Sequence, residues 1–248
     1  MMSGLERPDM DTGRLESSSA APLVGNDVVD LGEARCAGKS KDTRFVERVF
    51  SASEQAGILG DADPDRALWR RWAAKEASYK VVTKLHGAAP TFAHAAFEVD
   101  FDESGVNGLV HYGELVVPFH LHEAEDHLHA IAVGGASERA DERIIAGLEE
   151  MSSTGADPSS TLADLRERFF QPAEREFVYS LPSALVRMAA RRAMASALDV
   201  PEDEILILAR EGQPGRVPPV VLVGGAAGRV DLSLSHDGRY VAWVFTVC

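Results

Sequence analysis

Two stretches of this chain follow one plan, and that repetition limits the possible folds more than any single residue does. Each is helical first and strand-like afterwards. Each ends in a strand of similar character, HLHAIAV (127–133) in the first and RYVAWVF (239–245) in the second. Between them lies SSTGADPSS (152–160), a Ser, Gly and Pro break that reads as a linker. In the first stretch LVGNDVVDL (23–31) has the apolar run of a buried strand, and TRFVERVF (43–50) places Phe45, Val46, Val49 and Phe50 at helical spacing. Ser51 and Glu54 form a capping-box pattern for a short helix. A long helix is predicted from Pro64 to about Leu85, with Gly87 as its stop. AAFEVDF, GLVHYG, ELVVPFHLH and HLHAIAV then read as strands joined by short turns, and ERADERIIAGLEEM (138–151) as a charged amphipathic helix. In the second stretch LADLRERFF and LPSALVRMAARRAMASAL read as helices, and EILILAR, PVVLV, VDLSLSH and RYVAWVF as strands.

The expected fold class is therefore α+β: two similar lobes, each of helices packed on an antiparallel sheet, related by pseudo-twofold symmetry with a cleft between them. The expected division is a disordered tail over 1–22, a first lobe over 23–151, a linker over 152–160 and a second lobe over 161–248. Clefts at such interfaces are favoured places for ligands.

Charge excludes some partners. The chain has 25 Lys and Arg against 39 Asp and Glu, a net charge of −14, which opposes nonspecific binding to nucleic acid or to anionic membranes. No apolar run approaches the ~18 residues of a membrane span. The N-terminal residues carry acids and no apolar core, unlike a secretory signal. Only Cys36 and Cys248 occur, which excludes a disulfide framework and a cysteine metal site, and a reducing cytoplasm is the expected location. Local basic clusters remain for an anionic small molecule: Arg70, Arg71, Lys75, Lys80 and Lys84, and Arg187, Arg191 and Arg192.

Three segments could carry chemistry. In WAAKEASYK, Trp72, Glu76 and Lys80 are four apart and share one helical face. A surface Glu–Lys pair is one reading. The surrounding Trp69, Ala73, Ala74 and Ala77 suggest instead a buried helix, whose ions need a partner or a metal. In GNDVVDL, Asp27 lies inside an apolar strand, where a carboxylate must be paired or must ligate a cation, while Asp30 reads as a cap or turn residue. Asp27 and Glu76, from separate elements, suit a hard cation such as Mg²⁺. In DLSLSHDGRYVAWVF, alternation marks a hairpin whose Ser235 and His236 could donate to a phosphate; His236 as a mere turn residue is the alternative.

Together these segments resemble the 4′-phosphopantetheinyl transferase superfamily. GNDVVDL is similar to its Gly-x-Asp element, WAAKEASYK to its Trp-x-x-Lys-Glu-x-x-x-Lys element and SLSHDGRYVAWV to its Ser-x-Ser-His-x-Gly hairpin. EGQPG (211–215) looks like the Gly-Lys/Arg-Pro turn ahead of that hairpin, with Gln213 in the basic slot and Arg210 and Arg216 beside it. The resemblance spans roughly 25–246. The order of elements is the reverse of the two-lobed surfactin-type members, so the chain looks like a circular permutation of that type. A single-lobed, trimeric holo-acyl-carrier-protein synthase type, with the elements in the present order, is the other possible ancestor.

The resemblance implies transfer of the 4′-phosphopantetheine arm of coenzyme A to a serine of an apo acyl or peptidyl carrier protein, with release of 3′,5′-ADP. It implies Mg²⁺ on Asp27 and Glu76, with water in the third position because Val29 fills the slot two residues on. Glu76, or a water it orients, takes the serine proton, and Lys80 serves the leaving phosphate. Lys75, Lys80, Ser235, His236, Arg187 and Arg191 are the expected coenzyme A contacts. A monomer is expected. A noncatalytic coenzyme A-binding or regulatory protein on the same fold is the alternative function. Two further expectations come from composition: a rim of Arg44, Arg48, Arg70 and Arg71 for docking an acidic carrier, and HLHEAEDHLH as either a Zn²⁺ site of His120, His122, His127 and His129 or the solvated faces of a hairpin.

Overall fold

The structure, a computed structural model, describes residues 22–87, 90, 94–135, 143–153, 157, 160–209, 218–227 and 230–247. The tail 1–21, most of the linker, the turn 211–215 with Arg210 and Arg216, and Cys248 lie outside the described residues.

Apolar residues at strand and helix periods build the first half. Strand β1 (Leu23–Asp30) leads to α1 (Thr43–Val49), α2 (Ala52–Leu59) and α3 (Pro64–His86). The strands β2 (Glu98–Phe101), β3 (Asn107–Tyr112), β4 (Leu115–Glu123) and β5 (His127–Gly134) follow. They form one antiparallel sheet in the order β1-β5-β4-β3-β2. Helix boundaries are set by local chemistry. Asp63 caps α3 by accepting from Arg66 N, Pro64 occupies its first turn and Gly87 ends it at φ 69°. Ser51 and Glu54 form a reciprocal capping box on α2. Helix α3 lies on the sheet with Ala73, Ala74, Ala77, Val81 and Val82 fully buried. Gly25 makes that approach possible, because a Cβ there would fall 2.0 Å from the Ala77 carbonyl oxygen.

The second half runs β6 (Arg143–Glu150), α4 (Leu162–Phe169), α5 (Pro172–Arg175), α6 (Leu181–Leu198), β7 (Ile205–Ala209), β8 (Pro219–Val223), β9 (Ala226–Ala227), β10 (Leu232–Asp237) and β11 (Tyr240–Val247). Apart from the two-residue β9, this repeats the element order of the first half. Strands β10-β11-β6 form one sheet and β7-β8-β9 another. Residues 143–150 therefore correct the expected helix. The charges that suggested an amphipathic helix alternate along a strand, which pairs with β11 from Arg143↔Val247 to Glu150↔Tyr240. Strand β6 thus lies in one sheet with β10 and β11. Each half has its own apolar core, one around α3 and one around α6.

A buried ion pair recurs in both halves. In the first, Glu54 accepts from Lys75 Nζ at 2.7 Å and from Val99 N at 3.0 Å. In the second, Glu174, also in a capping box, pairs with Arg191 at 2.5 Å and accepts from Ile207 N at 2.9 Å. Each glutamate thus ties a short helix to the long helix and to the strand after it.

Strand β1 is hydrogen-bonded to β5 on one edge and faces β10 on the other. Side chains rather than a ladder satisfy that second edge. Val24 N donates to Asp231 Oδ2 at 2.7 Å, Asn26 N to Ser233 Oγ at 3.0 Å and Asp30 N to Asp237 Oδ2 at 2.9 Å. These are alternate residues, as the period of a strand edge requires. Lys84, at 5% side-chain exposure, closes one end of the seam on Asp231 Oδ2 at 2.6 Å and on the Val24 and Leu232 carbonyls. Arg239 closes the other on Asp30 at 2.8–2.9 Å. Among the described residues, no helix is long and apolar enough to cross a membrane.

Candidate functional site

The seam between β1 and β10 brings the two halves' polar segments together. Asp27 comes from the middle of β1, and Glu76 and Lys80 from successive turns of α3 packed over it. Lys80 Nζ lies 3.6 Å from Asp27 Oδ1 and donates to the carbonyls of Asn26 at 2.5 Å and Leu234 at 3.3 Å. Its one ammonium therefore touches both strands. Asp27 is mostly enclosed, with 17% side-chain exposure. Burial raises its carboxyl to about 8; Lys80 opposes the rise, and Glu76 and Asp237 add to it. This is an excess of negative charge in a confined space.

Across the seam, Ser235 is buried and its Oγ accepts from Asn26 Nδ2 at 3.1 Å, which leaves its hydroxyl proton for another acceptor. His236 follows it on β10. Burial of the ring, then the positive charge of Lys80, hold its imidazole below the ordinary range; Arg187 adds to this and Asp237 opposes it. Lys80, Asp237 and Arg187 are thus the charged neighbours of His236.

The three arginines of α6 differ. Arg191 is buried against Glu174 and the Phe169 carbonyl, and Arg192 pairs with Glu149 at 2.9 Å. Among the described residues Arg187 bonds within its own helix, to Ser183 O at 3.2 Å and Ser183 Oγ at 2.6 Å, and its buried Nε meets no partner. Among the described residues no carboxylate lies within ion-pair distance of it. A half-buried cation with an unmatched donor, facing His236, is suited to an anion.

Two expected coenzyme A contacts are engaged elsewhere in the structure. Lys75 has no exposed side-chain surface; its ammonium is enclosed by Glu54 and by the carbonyls of His94 and Phe97. Arg191 is likewise committed to Glu174. A helix turns about 100° per residue, so Lys75 enters the core while its neighbour Glu76 does not. The expected rim is reduced too. Arg70 forms an ion pair with Glu123 at 2.7 Å and donates to Gly105 O, and Arg71 donates to Ala67 O at 3.1 Å, whereas Arg44 and Arg48 are exposed.

The histidine tract forms the hairpin of β4 and β5, with His122 exposed and His120 and His127 partly so, and it departs from a solvated face only at His129. His129 is buried on β5 with Nε2 3.3 Å from Asn26 Nδ2, and burial pushes its imidazole down to about 3. His120 Nδ1 lies 2.7 Å from Asn107 Oδ1, and His127 Nδ1 3.0 Å from Asp126 Oδ1. Among the described residues, no group of three or more His, Cys, Asp or Glu has the arrangement to hold a metal ion. That rules out the Zn²⁺ reading there and leaves Asp27 and Glu76 as a two-carboxylate set.

Sequence reasoning passed over Asp237, Asn26 and His94. Asp237 sits beside Asp27 and pairs with Arg35. The ring of His94 stacks on Trp72 at 4.8 Å, with Nε2 3.6 Å from Glu76 Oε1. Neither spacing nor motif marks His94, because it reaches Glu76 from a 3₁₀ turn eighteen positions on.

The model of a family described as "4'-phosphopantetheinyl transferase superfamily" matches residues 23–133. A holo-[acyl-carrier-protein] synthase of Aromatoleum aromaticum is 35% identical over 96 residues, covering 39% of this chain and 74% of that protein. One from Azoarcus sp. is 35% identical over 91 residues, covering 37% and 70%. A crystal structure of holo-[acyl-carrier-protein] synthase from Neisseria meningitidis aligns with a TM-score of 0.37 and 20% identity, covering 46% of this chain and 98% of that one.

Proposed function

The chain belongs to the 4′-phosphopantetheinyl transferase superfamily, and on that premise we propose that it transfers the 4′-phosphopantetheine arm of coenzyme A to a serine of an apo carrier protein. The serine oxygen attacks the phosphorus that bears the pantetheine arm, the bond from that phosphorus to the bridging oxygen breaks, and 3′,5′-ADP leaves. One observation carries the reading: Asp27, Glu76 and Lys80 of the first half meet Ser235 and His236 of the second across one seam.

Asp27 and Glu76 fit Mg²⁺. They offer hard oxygen donors; burial lifts the Asp27 carboxyl most, and the nearby Glu76 and Asp237 charges that add to the rise are the kind a divalent cation offsets. Bound there, Mg²⁺ would supply neutralisation for a pyrophosphate. Lys80, reaching both strands, stabilises the leaving phosphate or protonates it, and Glu76 accepts the serine proton. Ser235, His236 and Arg187 hold the 3′-phosphate end of coenzyme A.

The repeated element order and the twin Glu54–Lys75 and Glu174–Arg191 pairs support two lobes related by a pseudo-twofold axis. With the Asp and Lys-Glu half first, the chain reads as a circular permutation of the two-lobed type. One chain then completes one site, consistent with a cytoplasmic monomer. Exposed Arg44 and Arg48 beside Phe45 offer a basic edge to an acidic carrier despite the net charge of −14.

Intact-mass spectrometry of fatty acid, polyketide and nonribosomal peptide carriers, incubated with coenzyme A and Mg²⁺, tests this directly. At least one carrier should gain one phosphopantetheine arm, and Glu76→Gln should abolish the gain with folding intact. Binding of coenzyme A without a gain on any carrier would overturn transfer in favour of a noncatalytic protein.

A further inference from the structure

Outside the expected motifs, His94 lies against Glu76, and it is held from two sides. Its ring lies nearly parallel to the Trp72 indole, at 21° and 4.8 Å between centroids. Trp72 precedes Glu76 by one helical turn, so the stack sets the ring directly beside the Glu76 side chain. The His94 carbonyl accepts from Lys75 Nζ at 3.1 Å, and the same ammonium binds Phe97 O and Glu54. Glu54 in turn holds Val99 N at 3.0 Å. Residues 94–99 are thereby pinned to α3 through a buried cation, and His94 Nε2 stands 3.6 Å from Glu76 Oε1.

We propose that His94 is a positioning residue for Glu76. Fixed by the Trp72 stack and the Lys75 clamp, it orients the Glu76 carboxylate toward Asp27 and so sets the affinity of the pair for a divalent cation. This rests on the metal role proposed for Asp27 and Glu76. It also gives buried Lys75 a function, that of anchoring the turn that delivers His94. Outer groups of this kind typically tune a metal site by ~10–100-fold.

The test is Mn²⁺ binding to the full chain, read by electron paramagnetic resonance without substrate, alongside the Mg²⁺ dependence of transfer. His94→Phe keeps the stack and removes the nitrogen; His94→Gln restores a donor. His94→Phe should weaken Mn²⁺ binding by about 10-fold or more with its Tm unchanged, and His94→Gln should recover part of the loss. If His94→Phe perturbs folding, His94→Leu is read the same way. Mn²⁺ affinity within roughly twofold of wild type in the folded variant would overturn the positioning role alone. Wild-type protein that binds no Mn²⁺ would overturn the metal role and this inference together.

Discussion

Replacing Lys75 by Met removes one charge from the centre of the first core. The side chain of Lys75 has no exposed surface and that of Glu54 has 3%. Burial already lowers the lysine's proton affinity, and Glu54 opposes that. Methionine keeps most of the aliphatic stem, so the change isolates the ion. What remains is a buried Glu54 that still accepts from Ser51 N at 2.8 Å and Val99 N at 3.0 Å, and two carbonyls, of His94 and Phe97, that lose a donor. Removing one partner of a buried pair costs ~3–5 kcal/mol, and the two retained amide bonds place this case near the lower end, about 3. With a urea m-value of about 2 kcal/mol/M, the midpoint should fall by roughly 1.5 M. The double variant Glu54→Gln/Lys75→Met, neutral on both sides, should recover much of the loss. Urea unfolding followed by tryptophan fluorescence measures all three proteins against wild type. A single-variant loss below about 1 kcal/mol would refute the reasoning, because the pair would then behave like an exposed one.

Three more predictions concern the seam and helix α6. Asp27 should make stability fall as pH rises from about 4 to about 8 in EDTA, because its carboxyl, at about 8 in the folded state against an ordinary 3.8, keeps a proton there that the unfolded chain has lost. Urea unfolding across that range should show the fall in wild type and a flatter profile in Asp27→Asn. Arg187→Ala should raise the KM for coenzyme A by roughly 10–100-fold, the worth of a hydrogen bond to a charged group, with little change in stability. Arg191→Ala should instead lower Tm, since it strands buried Glu174.

Local chemistry made much of this fold legible. Ser51, Glu54, Asp63, Pro64 and Gly87 mark helix ends through caps and turns that depend only on near neighbours. Asp30 does act in a turn, accepting from Gly32 N at 2.9 Å, but it also holds Arg239 from the far end of the chain. The misread segment, 143–150, is a strand only because β11, about a hundred residues later, lies alongside it. Lys75 and Glu76 show the same limit at a site. Adjacent in a motif, they point to different environments, and which face is buried depends on Glu54 and on the sheet beneath. The motifs nominated Asp27, Glu76, Lys80, Ser235 and His236. The local neighbours Asp237 and His94 emerge only when the strands and the 3₁₀ turn are placed.

The central claim is that Asp27 and Glu76 share one divalent cation at the seam between the halves. Anomalous diffraction from a crystal soaked in Mn²⁺ locates that ion directly. A single peak is expected, with oxygens of both residues in its coordination shell and Lys80 beside it. An Asp27 carboxylate closed on Lys80 and no peak at the seam, in protein that still transfers the arm, would contradict it.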